Sequence, residues 1–507
     1  MLGQGNRLLD GLFQGALFLL VAMGLGFYWL VGTMQVFGDF STPLALLFFV
    51  GFCLTLAAAH IPLFLMIVAL FTRGLLQRRL SVSPRFFGVI VLFGAPALFT
   101  VLESLVPKLF PWYLGNCFVP VSFMTPLLAY GGPSLLTFLL LQWGSGIALL
   151  YYRPTCARAV WGVIVLMVVI PVFGSVLLSD SSPTSQAGAS PSREPPWSVA
   201  LIQPNFSIRE KIAFERHPQM MPQLIETYFR LTRQALDTKP RPTLVVWPEN
   251  ALPWVVNADN SWTRTLIRFV EQERVALITG AYAQSFHSPR SLATAAFLLE
   301  WVGDGVPLHM EFYMKHHLLA FTEKMPLGWL FPALYRWFPT VGEFYPGRGE
   351  QVFELLGPTG HHRRLGISIC YEDLHAPYVR RTAALGVDAL VNVTNDTWFG
   401  NTSEPLQHAI LARFRAAETG VPLLRATNSG ISEVVLASGK VAAQSFLNQA
   451  TYVVAKLPQT GERKKEGESA LTPTTFYVRW GEWWVVLQIF SLAVLIVVFY
   501  LRTRGRS

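Results

Sequence analysis

The 507-residue sequence has few charged residues, few cysteines and no dense run of basic residues before its last few positions. Charged residues make up 14% of the chain and hydrophobic ones 52%, whereas about a quarter of a soluble protein is charged. This composition excludes a disordered or fibrous protein, and four cysteines exclude a small disulfide-stapled domain. A net charge of +9 without a basic cluster favours a membrane surface over nucleic acid as the partner.

The scarcity of charge is concentrated in the first part of the chain, because residues 1–180 hold only 12 of the 71 charged residues. A membrane span needs about 20 mostly apolar residues. Six segments satisfy this length: 9–33, 43–71, 87–106, 133–152, 159–178 and 482–501. We therefore predict a transmembrane domain over 1–179 with five spans, a linker over 180–197, an outer domain over 198–475 and a final span over 482–501. Buried helices of a large soluble protein are the alternative.

Loop charges predict the orientation of these spans. The 72–86 loop carries Arg73, Arg78, Arg79 and Arg85, which places it in the cytoplasm. Counting spans from this loop puts both termini inside and residues 179–481 outside. Residues 107–132 are apolar but broken by proline and glycine, so we expect an interfacial or re-entrant segment there rather than a seventh span.

The outer domain alternates short apolar runs with amphipathic patterns, which predicts an α/β layered domain. The expected strands are 198–203, 243–247, 275–279, 294–300, 365–370, 387–393 and 421–426. The expected helices are 216–236, 261–274, 375–385 and 404–418.

Cys370 is the only cysteine of the predicted outer domain, so it has no disulfide partner there. It ends the strand LGISIC and is followed by Tyr371, Glu372 and Asp373. The carboxyl end of a strand is where α/β folds place reacting groups. A buried, inert thiol is the competing interpretation.

A thiol nucleophile needs a base and a group that stabilises an oxyanion. Glu249 follows the strand TLVVW, and Lys315 lies among aromatic residues in EFYMKHHL. Together with Cys370 they would form an acyl-transfer site. Separately, Glu249 also fits a helix N-terminal acid and Lys315 a surface charge.

Three separated motifs resemble the Glu–Lys–Cys signature of the nitrilase, or carbon–nitrogen hydrolase, superfamily: VVWPEN (245–250), YMKHHL (313–318) and ISICYED (367–373). The block over 391–432, with NDTWFG, ARFRAAE and LLRATNSGIS, is similar to the membrane-bound apolipoprotein N-acyltransferase branch, as is FPW at 110–112. The chain departs from that family in having six candidate spans rather than eight and Thr322 in place of a glycine. Ile212 or Phe214 stands where the family has a tryptophan.

The resemblance implies a nitrilase-like αββα sandwich domain on a bundle of about six transmembrane helices, in the bacterial inner membrane with the catalytic domain facing the periplasm. It implies Cys370 as nucleophile, Glu249 as general base and Lys315 as oxyanion stabiliser. Glu323, Tyr371 and Glu372 are the implied supporting residues.

The reaction that the resemblance implies moves a fatty acyl chain from a phospholipid to the N-terminal amine of diacylglyceryl-cysteine lipoproteins through a Cys370 thioester. The donor that it implies is phosphatidylethanolamine. A membrane-tethered amidase or nitrilase and a non-catalytic scaffold are the alternatives. No cofactor and no metal site are expected, because the adjacent histidines His316–His317 and His361–His362 would point to opposite faces of a strand. Asp396 and Arg425 are expected to hold the fold near the site. The aromatic residues Trp329, Phe331, Trp337 and Phe338 fit either a lipid access path or a domain core.

Overall fold

A computed structural model describes residues 7–77, 83–118, 122–152, 197–285, 288–338, 341–357, 362–457 and 475–504. The chain divides into two compact units. One comprises Met1–Ser181 with Trp480–Ser507, and the other comprises Ser182–Arg479. The two units are described separately.

The first unit is helical in its described part. Its helices are α1 (Arg7–Phe27), α2 (Trp29–Gly38), α3 (Thr42–Leu54), α4 (His60–Gln77), α5 (Pro84–Val89), α6 (Ala95–Leu105), α7 (Leu128–Tyr152) and, from the end of the chain, α15 (Trp483–Arg504). A π-helical turn, Ile90–Gly94, joins α5 to α6. Among the described residues, three helical stretches are long and apolar enough to span a membrane: Arg85–Leu105, Met124–Tyr151 and Trp483–Arg502. The pair α1 and α2, bent by 62°, makes up to four.

The segment predicted as a single span over 43–71 is not one continuous helix, because it breaks between α3 and α4. Thr55 leaves the helical conformation. The carbonyl oxygens released by the break are not orphaned: Leu56 O accepts from Leu109 N at 3.0 Å and Ala57 O accepts from the Trp112 indole at 3.0 Å. Non-helical backbone in an apolar environment needs such partners, and the segment after α6 supplies them.

The segment predicted to be interfacial or re-entrant holds two 3₁₀ turns, Leu114–Phe118 and Ser122–Leu127, before α7 begins. Gly115 allows the first turn to lie against α7, since a Cβ there would be 2.6 Å from Pro133 O and Thr137 N. The predicted span over 159–178 and all but the last residue of the predicted linker over 180–197 lie outside the described residues, and Trp197 begins a strand.

The second unit contains two six-stranded sheets. Its strands are β1 (Trp197–Gln203), β2 (Leu244–Val246), β3 (Ala276–Ser285), β4 (Ser288–Glu300), β5 (His309–Met314), β6 (Val352–Leu355), β7 (Arg363–Ile369), β8 (Ala389–Thr394), β9 (Leu423–Thr427), β10 (Glu433–Val435), β11 (Val441–Gln444) and β12 (Thr451–Leu457). The strand orders are β12-β1-β2-β3-β4-β5 and β11-β10-β9-β8-β7-β6. In each sheet three central strands run parallel, and the flanking strands are antiparallel.

Helices cover the outer faces of the two sheets. They are α8 (Ile208–Arg216), α9 (Met221–Leu236), α10 (Ser261–Glu273), α12 (Ala376–Ala384), α13 (Glu404–Thr419) and α14 (Phe476–Trp480). The short helix α11 (Ala333–Trp337) lies in the loop between β5 and β6 and has no buried residue. On α9 the buried residues Leu224, Ile225, Tyr228 and Phe229 recur at helical spacing and form one apolar face. That face packs on the first sheet.

Three apolar layers result. One lies between the first sheet and α9 and α10, one between the sheets, and one between the second sheet and α12 and α13. This arrangement confirms the predicted αββα sandwich. The parallel centre of each sheet places the carboxyl ends of β2, β7 and β8 where loops can bring side chains together.

Candidate active site

Glu249 lies directly after β2 and is buried. The loop that carries it is held by β3: Gly280 N donates to Pro248 O at 3.1 Å, and Leu252 N donates to Gly280 O at 3.0 Å. Only glycine fits at position 280, because a Cβ would lie 2.6 Å from Glu249 Cα. The backbone of the loop therefore fixes where the Glu249 carboxylate lies.

Lys315 follows β5 and is also buried. Its amide donates to Thr294 O at 2.9 Å, and its carbonyl accepts from Gly347 N at 2.8 Å. The ammonium lies 3.3 Å from Glu249 Oε1 and 2.9 Å from Glu323 Oε1. The structure thus joins two predicted catalytic residues that are far apart in the sequence, and it adds the predicted supporting residue Glu323.

Glu323 is itself oriented by the loop after β5. Its Oε2 accepts from Leu319 N at 2.8 Å, and its Oε1 accepts from the Thr294 hydroxyl at 3.4 Å. Lys315 is consequently held between two oriented carboxylates.

Cys370 lies at the end of β7 and is 8% exposed. Its φ is +53°, in the left-handed region that a non-glycine residue occupies only when its surroundings impose it. The Asn392 side-chain amide donates to Cys370 O at 2.9 Å from neighbouring β8. The thiol thus stands on a tight turn from strand to 3₁₀ helix.

The residues after the cysteine fasten this turn to the loop of Lys315. The Glu372 carboxylate accepts from the amides of His316 at 2.7 Å, His317 at 2.9 Å and Ile369 at 2.7 Å. The Tyr371 hydroxyl donates to Leu318 O at 2.8 Å. Both predicted supporting residues therefore tie the turn of Cys370 to the residues that follow Lys315.

The electrostatics of the site favour a thiol at rest with a base nearby. Burial raises the pKa of the Cys370 thiol well above its usual value; the Glu249 carboxylate raises it further and the Lys315 ammonium lowers it. Burial also raises the pKa of the Glu249 carboxyl, against the opposing effect of Lys315. Burial alone would lower the pKa of Lys315, but Glu249 and Glu323 raise it well above its usual value. The site therefore contains a fixed cation, a carboxylate that can accept a proton, and a thiol that must lose one.

A closed ring of buried charges lies next to the nucleophile turn. His408 on α13 contacts Asp373 Oδ1 at 2.9 Å and Asp396 Oδ1 at 3.0 Å, and Arg425 on β9 contacts Asp396 Oδ2 at 3.0 Å and Asp373 Oδ2 at 3.8 Å. Asp373 follows Cys370 by three residues. Asp396 and Arg425 were predicted to support the fold in this way, whereas Asp373 and His408 were missed.

The one group of metal-compatible donors among the described residues shares Asp396 and His408 with this ring and adds Glu404. Arg425 lies against Asp396, and both nitrogens of His408 face carboxylates. Burial and Asp396 raise the pKa of the Glu404 carboxyl well above its usual value, which favours its neutral form, so the group does not fit an additional ion. His316 and His317 lie beside the Lys315 loop, and His361 lies outside the described residues.

Large apolar side chains are exposed on the loop that follows Glu323. Trp329 is 77% exposed, Trp337 is 72% exposed, and Phe331 is also exposed. The interpretation of these three residues as domain core is wrong. At the family's tryptophan position, Phe214 is buried and Ile212 is exposed.

Comparisons with known proteins follow the same division of the chain. Residues 199–465 match the family model for carbon-nitrogen hydrolases, and residues 4–145 match the apolipoprotein N-acyltransferase N-terminal domain. An apolipoprotein N-acyltransferase of Vibrio vulnificus is 31% identical over 83% of this chain and 80% of its own length. One from Bdellovibrio bacteriovorus is 29% identical over 93% of this chain and 83% of its own length. Among solved structures, an amidase from Nesterenkonia sp. is 18% identical with a TM-score of 0.37, covering 52% of this chain and 90% of its own.

Proposed function

The chain belongs to the apolipoprotein N-acyltransferase family, and we propose that Cys370, Glu249 and Lys315 perform the acyl transfer through a thioester on Cys370. It is a membrane protein whose substrates are a phospholipid and a lipoprotein. The observation that carries the assignment of residues is the buried contact of Lys315 with Glu249 and Glu323, next to a thiol on a left-handed turn.

In the first half-reaction, Glu249 accepts the proton of Cys370, and the thiolate attacks the ester carbonyl of the phospholipid. The Lys315 ammonium and a backbone N–H near Tyr371 stabilise the negative oxygen of the tetrahedral intermediate. When the carbon–oxygen bond breaks, the leaving alkoxide takes the proton from Glu249 and departs as lysophospholipid. Cys370 then carries the fatty acyl group as a thioester.

In the second half-reaction, the α-amino group of the diacylglyceryl-cysteine attacks the thioester. Glu249 accepts a proton from the attacking amine, the carbon–sulfur bond breaks, and Glu249 gives that proton to the departing Cys370 thiolate. An amide replaces a thioester, which is activated towards amines, so the step is downhill. Splitting the reaction into two easier steps is the advantage of covalent catalysis.

Both substrates are anchored in a membrane, and this gives the exposed aromatic loop a function. We assign Trp329, Phe331 and Trp337 to contact with lipid, because exposed apolar patches of this kind mark interaction surfaces. The loop also carries Glu323, which contacts Lys315. The loop charges of the sequence support a site on the outer, periplasmic side of the bacterial inner membrane. Phosphatidylethanolamine is the proposed donor because the family resemblance implies it.

A two-substrate assay tests this function against hydrolysis of a small amide. The purified protein is given phosphatidylethanolamine micelles and a diacylglyceryl-cysteine peptide, and the N-acylated peptide and lysophospholipid are quantified. We expect both products in equal amounts, and neither product from Cys370→Ala. Hydrolysis of short amides by the wild type, without peptide acylation, would support the amidase instead.

A further inference from the structure

A second buried lysine lies beside the proposed base. Lys211 is on α8, a helix that begins with a capping box: Ser207 Oγ accepts from Glu210 N, and Glu210 Oε2 accepts from Ser207 N at 2.8 Å. Phe214 of the same helix packs against Phe206 in the core, with ring centroids 5.0 Å apart. The capping box and the Phe214 contact therefore fix both ends of this short helix. Lys211, which lies between them, is only 8% exposed.

The ammonium of Lys211 binds the backbone that carries Glu249. Its Nζ donates to Asn250 O at 3.0 Å and to Glu249 O at 3.4 Å. Asn250 has a φ of +49°, in the left-handed region that costs free energy for a residue with a side chain. Two carbonyl oxygens that accept from one cation offset that cost and hold the loop in addition to its hydrogen bonds with Gly280.

A solvated lysine would not hold the Glu249 loop in this way. A buried lysine needs charged or polar partners to compensate for the loss of its hydration. The carboxylates that act on Lys211 are Glu249 and, one helical turn along α8, Glu215, which in turn accepts from the Tyr282 hydroxyl at 3.1 Å. Burial lowers the pKa of Lys211 to about 8, while Glu249 and Glu215 oppose that shift. Lys211 is thus a cation at acidic and neutral pH.

We infer that Lys211 is a positioning residue for the reaction, which fixes the Glu249 loop through two carbonyls and keeps the Glu249 carboxylate ionised. The Glu249 carboxylate is faced by Lys315 from the end of β5, by Glu323 from the following loop and by Lys211 from α8. In the proposed reaction, the Lys315 ammonium interacts with Glu323 and with the oxyanion as well as with Glu249. Lys211 instead binds the Glu249 loop through its carbonyl oxygens. The inference rests on the proposed assignment of Glu249 as the base.

The test measures single-turnover release of lysophospholipid from phosphatidylethanolamine micelles, without acceptor, over a series of pH values. In Lys211→Met the acid limb of the rate profile should move to higher pH by about one unit, the low end of the shift for a lost opposite charge. At pH values below the acid limb, a shift of one unit makes the rate of Lys211→Met about tenfold lower than that of the wild type. Above the limb a smaller deficit should remain at every pH, because methionine cannot donate to the Glu249 and Asn250 carbonyls.

Two further variants sharpen the comparison. Lys211→Arg retains a cation and should keep the acid limb of the wild type. Arg216→Met removes an exposed cation from the last position of the same helix and should leave the profile unchanged. A Lys211→Met rate that is lower by the same factor at every pH, or equal to the wild type throughout, would overturn the inference.

Failure of the underlying function is distinguishable from failure of the inference. Glu249→Gln should release no lysophospholipid at any pH. If Glu249→Gln remains active, the assignment of the base is wrong. If it is inactive while the acid limb of Lys211→Met stays in place, only the role of Lys211 is wrong. The activity that Lys211→Met regains above the acid limb also shows that this variant is folded.

Discussion

Replacing Gly280 by alanine should impair catalysis far more than it impairs folding. The added Cβ would lie 2.6 Å from Glu249 Cα, Pro248 O and Asn250 N, about 0.8 Å short of the 3.4 Å at which ordinary contact begins. All three atoms belong to backbone, so no side chain can rotate away. The loop of Glu249 must therefore move by most of an ångström.

Overpacking of this kind costs about 1–3 kcal/mol of stability. A misplacement of about 1 Å in a catalytic group costs about 100-fold in rate. In the Gly280→Ala protein that remains folded, we therefore expect a rate about 100-fold lower than that of the wild type. The assay is single-turnover lysophospholipid release, normalised to the monodisperse protein recovered in detergent.

Gly366→Ala is the matched control, because it overpacks β7 on the face that packs against α12. Its Cβ would meet the Thr382 methyl group at 2.5 Å, in the layer between the second sheet and α12. We expect a comparable loss of thermal stability but a rate within a few-fold of the wild type. Folded Gly280→Ala with an unchanged rate would refute the reasoning that backbone packing places Glu249.

Three other perturbations test separate parts of the account. Glu323→Gln removes a charged partner 2.9 Å from Lys315 and should slow acyl-enzyme formation about tenfold, the equivalent of a hydrogen bond to a charged group; an unchanged rate contradicts this. Burial disfavours the His408 imidazolium, but Asp373 raises its pKa to about 10, so its stabilisation is present below its unfolded pKa of about 6.5 and is lost as pH rises through about 10. Thermal unfolding should show that alkaline loss in the wild type and not in His408→Asn. Replacing Trp329 and Trp337 by serine should slow acylation from vesicles but not from detergent micelles; equal slowing in both would contradict a membrane contact.

The parallel strands and the antiparallel β4 could be predicted from the sequence, and the other antiparallel strands could not. The run SVALIQ of β1 is buried almost throughout, so its apolar character is continuous. By contrast, β5 and β12 alternate or mix exposed with buried positions, and β10 has only three residues. Short antiparallel strands of this kind resemble loops in sequence, so β5, β6, β10, β11 and β12 were missed.

The break in the predicted span over 43–71 leaves only a weak signal in the sequence. Its residues are apolar on both sides of Thr55, and the signal that was overlooked is Pro62, which lies in the first turn of α4. What stabilises the break is distant in the chain, because Leu109 and Trp112 satisfy its carbonyl oxygens. Hydropathy records composition and not such tertiary hydrogen bonds.

The candidate catalytic residues were recognisable because each lies in a short motif at the end of a strand. Their contact was not: Lys315 and Glu249 are brought to 3.3 Å by the order of strands in the first sheet. Lys211 and His408 were missed because both lie on helices. There, a lysine or a histidine in a mixed polar segment is usually solvated, and only burial reveals a different role.

The central claim is that Cys370 becomes acylated by a phospholipid and passes the acyl group to an amine. The most direct measurement is the intact mass of the purified protein after incubation with phosphatidylethanolamine alone, with peptide mapping of any adduct. The account predicts a fatty acyl mass on Cys370, absent in Cys370→Ser and discharged by a diacylglyceryl-cysteine peptide. An unmodified protein with no lysophospholipid released, or an adduct on another residue, would contradict it.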